Sequence, residues 1–175
     1  MVVLITGANG QLGQAIQSIV GNHPSIDFVF CSSLDLDITN SANCETIFKQ
    51  YKPHFCINTA AYTAVDKAES ESDKAHLINV IGAKNLAEVC KNHDTILLHV
   101  STDFVFDGSS DIPYIETDIP NPTGVYGKTK REAELKLLEI GKKSDMHVSI
   151  IRPSLVYGPN VKGNLQLMLS GVKKG

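Results

Sequence analysis

Val2-Val3-Leu4-Ile5-Thr6-Gly7-Ala8-Asn9-Gly10-Gln11-Leu12-Gly13-Gln14-Ala15-Ile16 opens the chain and decides its fold. A continuous apolar run reads as a strand covered on both faces. It gives way at once to glycines at positions 7, 10 and 13, and then to Leu12, Ile16 and Ile19, which share one face of a helix. Strand, glycine turn and helix follow one another with no spacer.

Each glycine in that turn has a physical task. Gly7 permits a sharp reversal off the strand, Gly10 leaves room for a pyrophosphate beside the backbone, and Gly13 lets the helix pack closely on the sheet. The helix start offers unpaired N–H groups and the positive end of its dipole to phosphate. The spacing is G-x-x-G-x-x-G, and its position between first strand and first helix is what gives it meaning.

Outward from this segment, β-like runs recur at Asp27–Cys31, Phe55–Asn58, Thr95–Ser101 and Val148–Arg152. Helical patterns lie between them at Gln11–Val20 (stopped by Gly21), Ser41–Tyr51, Asp73–His93 and Thr123–Ile140, with a partial one at Asn164–Gly171. Strict alternation predicts an α/β fold, a doubly wound parallel sheet of Rossmann type. Residues 1–175 are expected to form one NAD(P)-binding domain. Five strands fall short of the usual six, so an N-terminal fragment of a longer protein is expected.

Composition excludes other classes. A net charge of −3 with scattered Lys and Arg gives no nucleic-acid stripe. No apolar run reaches the length of a membrane span, and the start lacks a signal peptide, so a cytoplasmic location is expected. Cys31, Cys44, Cys56 and Cys90 show no C-x-x-C and the histidines no H-E-x-x-H; four reduced, mostly buried thiols and no metal site are expected.

The end of the second strand reads Cys31-Ser32-Ser33, with neither an acid for a ribose 2′-hydroxyl nor a cation for a 2′-phosphate. NADH and NADPH therefore stay open. Asp37 either receives the adenine amine, with Ile38 against the ring, or helps cap the helix near Ser41. Glu69-Ser70-Glu71-Ser72-Asp73-Lys74 reads as a solvated helix start. The loop Asp107–Thr123 is long enough to suggest service to a site.

Tyr126 and Lys130 stand four residues apart, hence on one helix face about 6 Å apart along the axis. A lysine ammonium there would lower the phenol pKa and ready Tyr126 as a proton donor; the alternative is an ordinary surface pair. Ser101-Thr102-Asp103 at the carboxyl end of the fourth strand supplies a hydroxyl where open sheets hold ligands. Asn58-Thr59-Ala60-Ala61 ends the third strand with small residues. Asn79 reads either as an anchor for water or for Lys130, or as a helix-surface amide.

Four segments then carry a resemblance: Asn58-Thr59-Ala60-Ala61-Tyr62-Thr63-Ala64-Val65-Asp66-Lys67-Ala68-Glu69, Ser101-Thr102-Asp103-Phe104-Val105-Phe106-Asp107-Gly108, Tyr126-Gly127-Lys128-Thr129-Lys130 and Arg152-Pro153-Ser154-Leu155-Val156-Tyr157-Gly158. In this order the chain resembles the dTDP-4-dehydrorhamnose reductase family of the extended short-chain dehydrogenase/reductase superfamily. The resemblance implies NADPH- or NADH-dependent reduction of a 4-keto nucleotide sugar, with Thr102, Tyr126 and Lys130 catalytic. It implies that Gln11, Leu12, Asp37, Ile38, Ala61, Tyr62, Thr63 and Val100 line the cofactor together with Gly7, Gly10, Gly13 and Ala60, and that Thr102, Asp103 and Leu155 face the sugar. A departure is Ala15, where some members carry a glutamate for a magnesium-bridged dimer. Such a dimer is not expected, although a homodimer of another kind stays open. The alternatives are a nucleotide-sugar epimerase or dehydratase, and a non-catalytic subunit similar to the regulatory subunit of methionine adenosyltransferase.

Overall fold

The apolar runs become five parallel strands: β1 Val2–Thr6, β2 Asp27–Cys31, β3 Phe55–Asn58, β4 Ile96–Val100 and β5 Val148–Ile151, ordered β2-β1-β3-β4-β5. The computed structural model describes residues 1–157 and position 171. The helix expected at Asn164–Gly171 therefore lies outside the described residues, apart from its last position. β1 pairs with β2 on one side and with β3 on the other. Chain direction across the sheet reverses there, which opens a crevice above the carboxyl ends of the two strands.

Helices α1 Gln11–Ile19, α2 Ser41–Tyr51, α3 Val65–Ala68, α4 Ser72–His76, α5 Ala83–Asn92 and α6 Val125–Lys142 connect the strands. Leu4, Cys56 and Leu97 point from adjacent strands into one core with Phe48 of α2, Leu86 and Cys90 of α5, and Leu137 of α6. Val3 and Ile5 alternate with Leu4, face the opposite way and are buried too. Cys31, Cys44, Cys56 and Cys90 are all buried free thiols. Among the described residues no helix is long and apolar enough to cross a membrane.

Several boundaries and surroundings differ from the sequence reading. Gly21 is not a left-handed helix stop: the chain passes from α1 into a 3₁₀ turn, Val20–Asn22. The helix expected over Asp73–His93 is α4 and α5 joined through a π turn, Leu77–Gly82. That turn lets Gly82 meet Ile38, where a Cβ would lie 2.6 Å from the Ile38 side chain. The acidic run is not merely solvated. Asp73 lies in the first turn of α4, but Glu69 accepts from Val125 N (2.7 Å) at the start of α6, and Glu71 accepts from the Tyr62 hydroxyl (3.0 Å).

Candidate active site

The glycine turn forms one wall of the crevice. Gly7 has φ +68°, and a Cβ on it would fall 2.8 Å from Ala60 N and from Thr59 Oγ1 at the end of β3. Any side chain there would push β1 and β3 apart. A Cβ on Gly13 would lie 2.5 Å from the Gly7 carbonyl, so Gly13 holds α1 against the turn and stands behind the crevice lining. At Gly10 the nearest atom to such a Cβ is Gly7 O at 3.1 Å, and the space beyond is the crevice. Gly10 caps α1 without a side-chain bond, so the first N–H groups of the helix are not consumed by a capping side chain. A phosphate fits there on space and on polarity alike.

The crevice holds about 750 Å³ and runs from β2 across the glycine turn to α6. Of the residues singled out in the sequence, Gly7, Gly10, Gln11, Leu12, Asp37, Ile38, Ala60, Ala61, Thr63, Val100, Thr102, Tyr126 and Lys130 line it. Tyr62 does not. Its ring is buried against Ala68, Ala75 and Tyr126, and its neighbours Ala61 and Thr63 line the crevice instead. Asp103 and Leu155 also lie outside the lining; Leu155 is 60% exposed, whereas its neighbours Ser154 and Val156 face inward. Ser32, Thr39, Ile78 and Pro153 join the wall without having been singled out as site residues. Thr39 and Ile78 belong to no motif, and Ile78 lies in the π turn Leu77–Gly82 that the helical periodicity did not indicate.

Local hydrogen bonds set the polar rim. Asp35 accepts from Ser32 N (2.8 Å) and Ser32 Oγ (2.7 Å), and this pair holds the carboxyl below its usual range. Asp37 does not cap α2. Asn40 does, accepting from Asn43 N, while Asp37 Oδ1 accepts from Thr39 N and Oγ1 in its own turn. Asn79 neither touches Lys130 nor lies on the surface. It is buried, with Oδ1 accepting from Tyr62 N (2.8 Å) and Nδ2 donating to Thr129 Oγ1 (3.0 Å), which ties the π turn to α6.

Thr102, Tyr126 and Lys130 converge at the inner end of the crevice. α6 can approach because residue 127 is glycine: a Cβ there would lie 2.2 Å from Phe104 O. Phe104 meets the Tyr126 ring edge-on at 5.6 Å. The expected depression of the Tyr126 pKa is not found. Burial pushes the phenol up, the Thr102 hydroxyl beside it pulls the other way, and Asp103 adds to the rise. The reason is where Lys130 reaches: Nζ donates to Val100 O (2.7 Å) and lies 3.3 Å from His99 Nε2. Burial lowers the lysine to about 8.

One turn further along α6, Glu134 is fully buried. It accepts from Ser101 Oγ (2.6 Å), from Arg131 Nη1 (2.8 Å) and from two nitrogens of Arg152 (2.9 and 2.8 Å). Burial works against the charged carboxylate, but Arg152, Ser101 and Arg131 outweigh it and hold the carboxyl below its usual range. This cluster, with Asp103 N donating to Pro153 O, fixes the crevice wall after β5.

A family model described as the RmlD substrate binding domain matches residues 1–175. A dTDP-4-dehydrorhamnose reductase from Aggregatibacter actinomycetemcomitans is 41% identical over 167 residues, covering 95% of this chain and 55% of the relative. The dTDP-4-dehydrorhamnose reductase structure from Clostridium acetobutylicum superposes with TM-score 0.90 at 39% identity, covering 99% of this chain and 60% of that one. The Bacillus anthracis enzyme in complex with NADP gives TM-score 0.90 at 35% identity with the same coverage. The chain thus spans a little over half the length of the relatives it matches. On the full-length family match and these identities, the chain belongs to the dTDP-4-dehydrorhamnose reductase family of the extended short-chain dehydrogenase/reductase superfamily.

Proposed function

We propose that residues 1–175 work as one dinucleotide-binding unit, in the cytoplasm, for the reduction of the 4-keto group of dTDP-4-dehydrorhamnose to dTDP-L-rhamnose. The observation that carries this reading is the continuity of one crevice from the glycine turn to Thr102, Tyr126 and Lys130. The space beside Gly10 and the free helix start suit a pyrophosphate, and a nicotinamide dinucleotide held there supplies the hydride. NADH and NADPH are both retained, because Ser32 and Ser33 offer hydroxyls and no opposite charge at the ribose end.

The residues divide the remaining work. Thr102 Oγ1 donates to Asp103 Oδ1 (3.1 Å), and its hydroxyl turns from that carboxylate to hold the ketone oxygen when substrate binds. Tyr126, a phenol protonated at neutral pH and pushed further up by burial, gives its proton to that oxygen as the carbon is reduced. Lys130 lines the crevice beside it and orients the cofactor ribose. Asp103 and Leu155, exposed at the rim, are retained as contacts for the sugar nucleotide.

Titration calorimetry with NADH and NADPH tests the binding half. The parent should bind at least one of them, and Gly10→Val should lose the affinity while staying folded, since its side chain would fill the pyrophosphate position. A folded Gly10→Val protein with parental affinity would overturn the placement.

A further inference from the structure

Beneath the crevice a buried polar chain crosses three strands. Thr6 of β1, Asn58 of β3, and His99 of β4, each 1% exposed, lead to Lys130 of α6, also 1% exposed. Its proton order can be worked out from one fixed end. Ala60 N donates to Asn58 Oδ1 at 3.1 Å, and a backbone N–H can only donate. Thr6 Oγ1 donates to the same oxygen at 2.7 Å. Ala60 N also reaches Thr6 Oγ1 (3.3 Å), but a flipped amide would set Nδ2 against Ala60 N and leave the buried Thr6 hydroxyl without its acceptor, so Nδ2 faces His99 Nδ1 at 3.0 Å as a donor. Nδ1 must accept. A neutral imidazole has one N–H, so it sits on Nε2, the nitrogen 3.3 Å from Lys130 Nζ. The imidazolium is excluded on the same ground, because its second N–H would face the Asn58 amide donor.

We propose that His99 is a positioning residue that sets the proton affinity of Lys130: locked by Asn58 as the Nε2–H tautomer, it points a donor at the lysine nitrogen and so favours the amine over the ammonium. As an amine, Nζ accepts from His99, donates to Val100 O (2.7 Å) and keeps one hydrogen for the crevice it lines. As an ammonium it would set an N–H against an N–H in a buried site. Burial of His99, and after it the Lys130 charge when the lysine is an ammonium, keep the ring neutral. The charged group that acts on Lys130 besides His99 is Glu134 on its own helix, and Arg131 and Arg152 reach the site only through that carboxylate; Tyr126 lines the same crevice. Glu134 favours the ammonium, but its oxygens are shared among Ser101, Arg131 and Arg152. The consequence is a lysine that exchanges its proton near about pH 8, well below the ordinary lysine range, at the site proposed above. The inference deepens that reading, yet its test needs no substrate.

Nitrogen-15 shifts of histidine-labelled protein read the tautomer directly, with His99→Gln assigning the resonance. His99 should show an acceptor-type Nδ1 and a protonated Nε2 at neutral pH. Carbon-13 shifts of the lysine ε-carbons, assigned with Lys130→Arg, should give Lys130 a midpoint near about 8. Asn58→Asp replaces the donor with a carboxylate acceptor, which should move the ring proton to Nδ1, turn Nε2 into an acceptor and raise the Lys130 midpoint by at least ~1 pH unit. A protonated Nδ1 in the parent would overturn the inference even if Asn58→Asp fails to fold. So would a ring that switches tautomer while the Lys130 midpoint stays put. Neither result bears on whether the ketosugar is the substrate, so failure here and failure of the functional reading are separable.

Discussion

Replacing Lys130 by methionine should make the pH dependence of stability visibly different from the parent's. The lysine is buried, and its folded pKa is about 8 against an ordinary 10.5. A base whose pKa is depressed on folding binds fewer protons in the native than in the unfolded state between those two values. Stability must therefore rise with pH through that window, and the cost of the buried charge is fully present below about 8. At about 1.4 kcal/mol per pH unit, the gap corresponds to roughly 3 kcal/mol, of which roughly 2–3 should be recovered between pH 7 and 10. The thioether of the Lys130→Met variant has no proton to exchange. The substitution also leaves Val100 O and His99 without their partner, a loss that shifts stability at every pH by a similar amount. His99 titrates well below this window and Tyr126 above it. Urea unfolding at intervals from pH 7 to 10 checks the difference: the parent should gain roughly 2–3 kcal/mol on the variant as pH rises. Parallel stability curves would refute the claim that Lys130 is held at low proton affinity.

Gly127→Ala should destabilise the chain by about 2 kcal/mol or more, because its Cβ would sit 2.2 Å from Phe104 O and the start of α6 would have to move; urea melts read this. The native thiols should resist alkylation at pH 8, since burial pushes Cys31 to about 11 and Cys44 to about 12. All four should react once the chain is unfolded, and fast labelling of the native protein would show an open core. Tyr126→Phe should leave NADH affinity within about twofold of the parent while lowering any turnover by ~10²–10⁴-fold, which separates proton donation from binding.

The sheet was legible because both signals that define it are local. Apolar runs a few residues long, punctuated by Gly, Pro and Asn, placed every strand within a residue or so at each end. The glycine turn was legible for the same reason, since Gly7, Gly10 and Gly13 act on atoms only a few residues away or at the adjacent strand end. What escaped depends on distant partners. The fate of Lys130 was unreadable because helical spacing pairs it with Tyr126, whereas its reach is decided by Val100 O and His99 on β4. Glu69 looked solvated until α6 arrived beside it. Tyr62 sits in a motif that touches the crevice, but the geometry at a strand end turns one residue in and its neighbour out. Asn58 and His99 carried no local sign of belonging to one polar chain, since 41 residues separate them.

The central claim is that Tyr126 gives the proton when hydride reaches the ketosugar. The direct measurement is a single-turnover reaction of the protein with dTDP-4-dehydrorhamnose and NADH deuterated at the transferred position, with the sugar product analysed by mass spectrometry. Deuterium should appear at C4 of the sugar with the parent, and the rate of its appearance should drop sharply with Tyr126→Phe. Label appearing at the parental rate with Tyr126→Phe, or no label from a parent that binds both ligands, would contradict the claim.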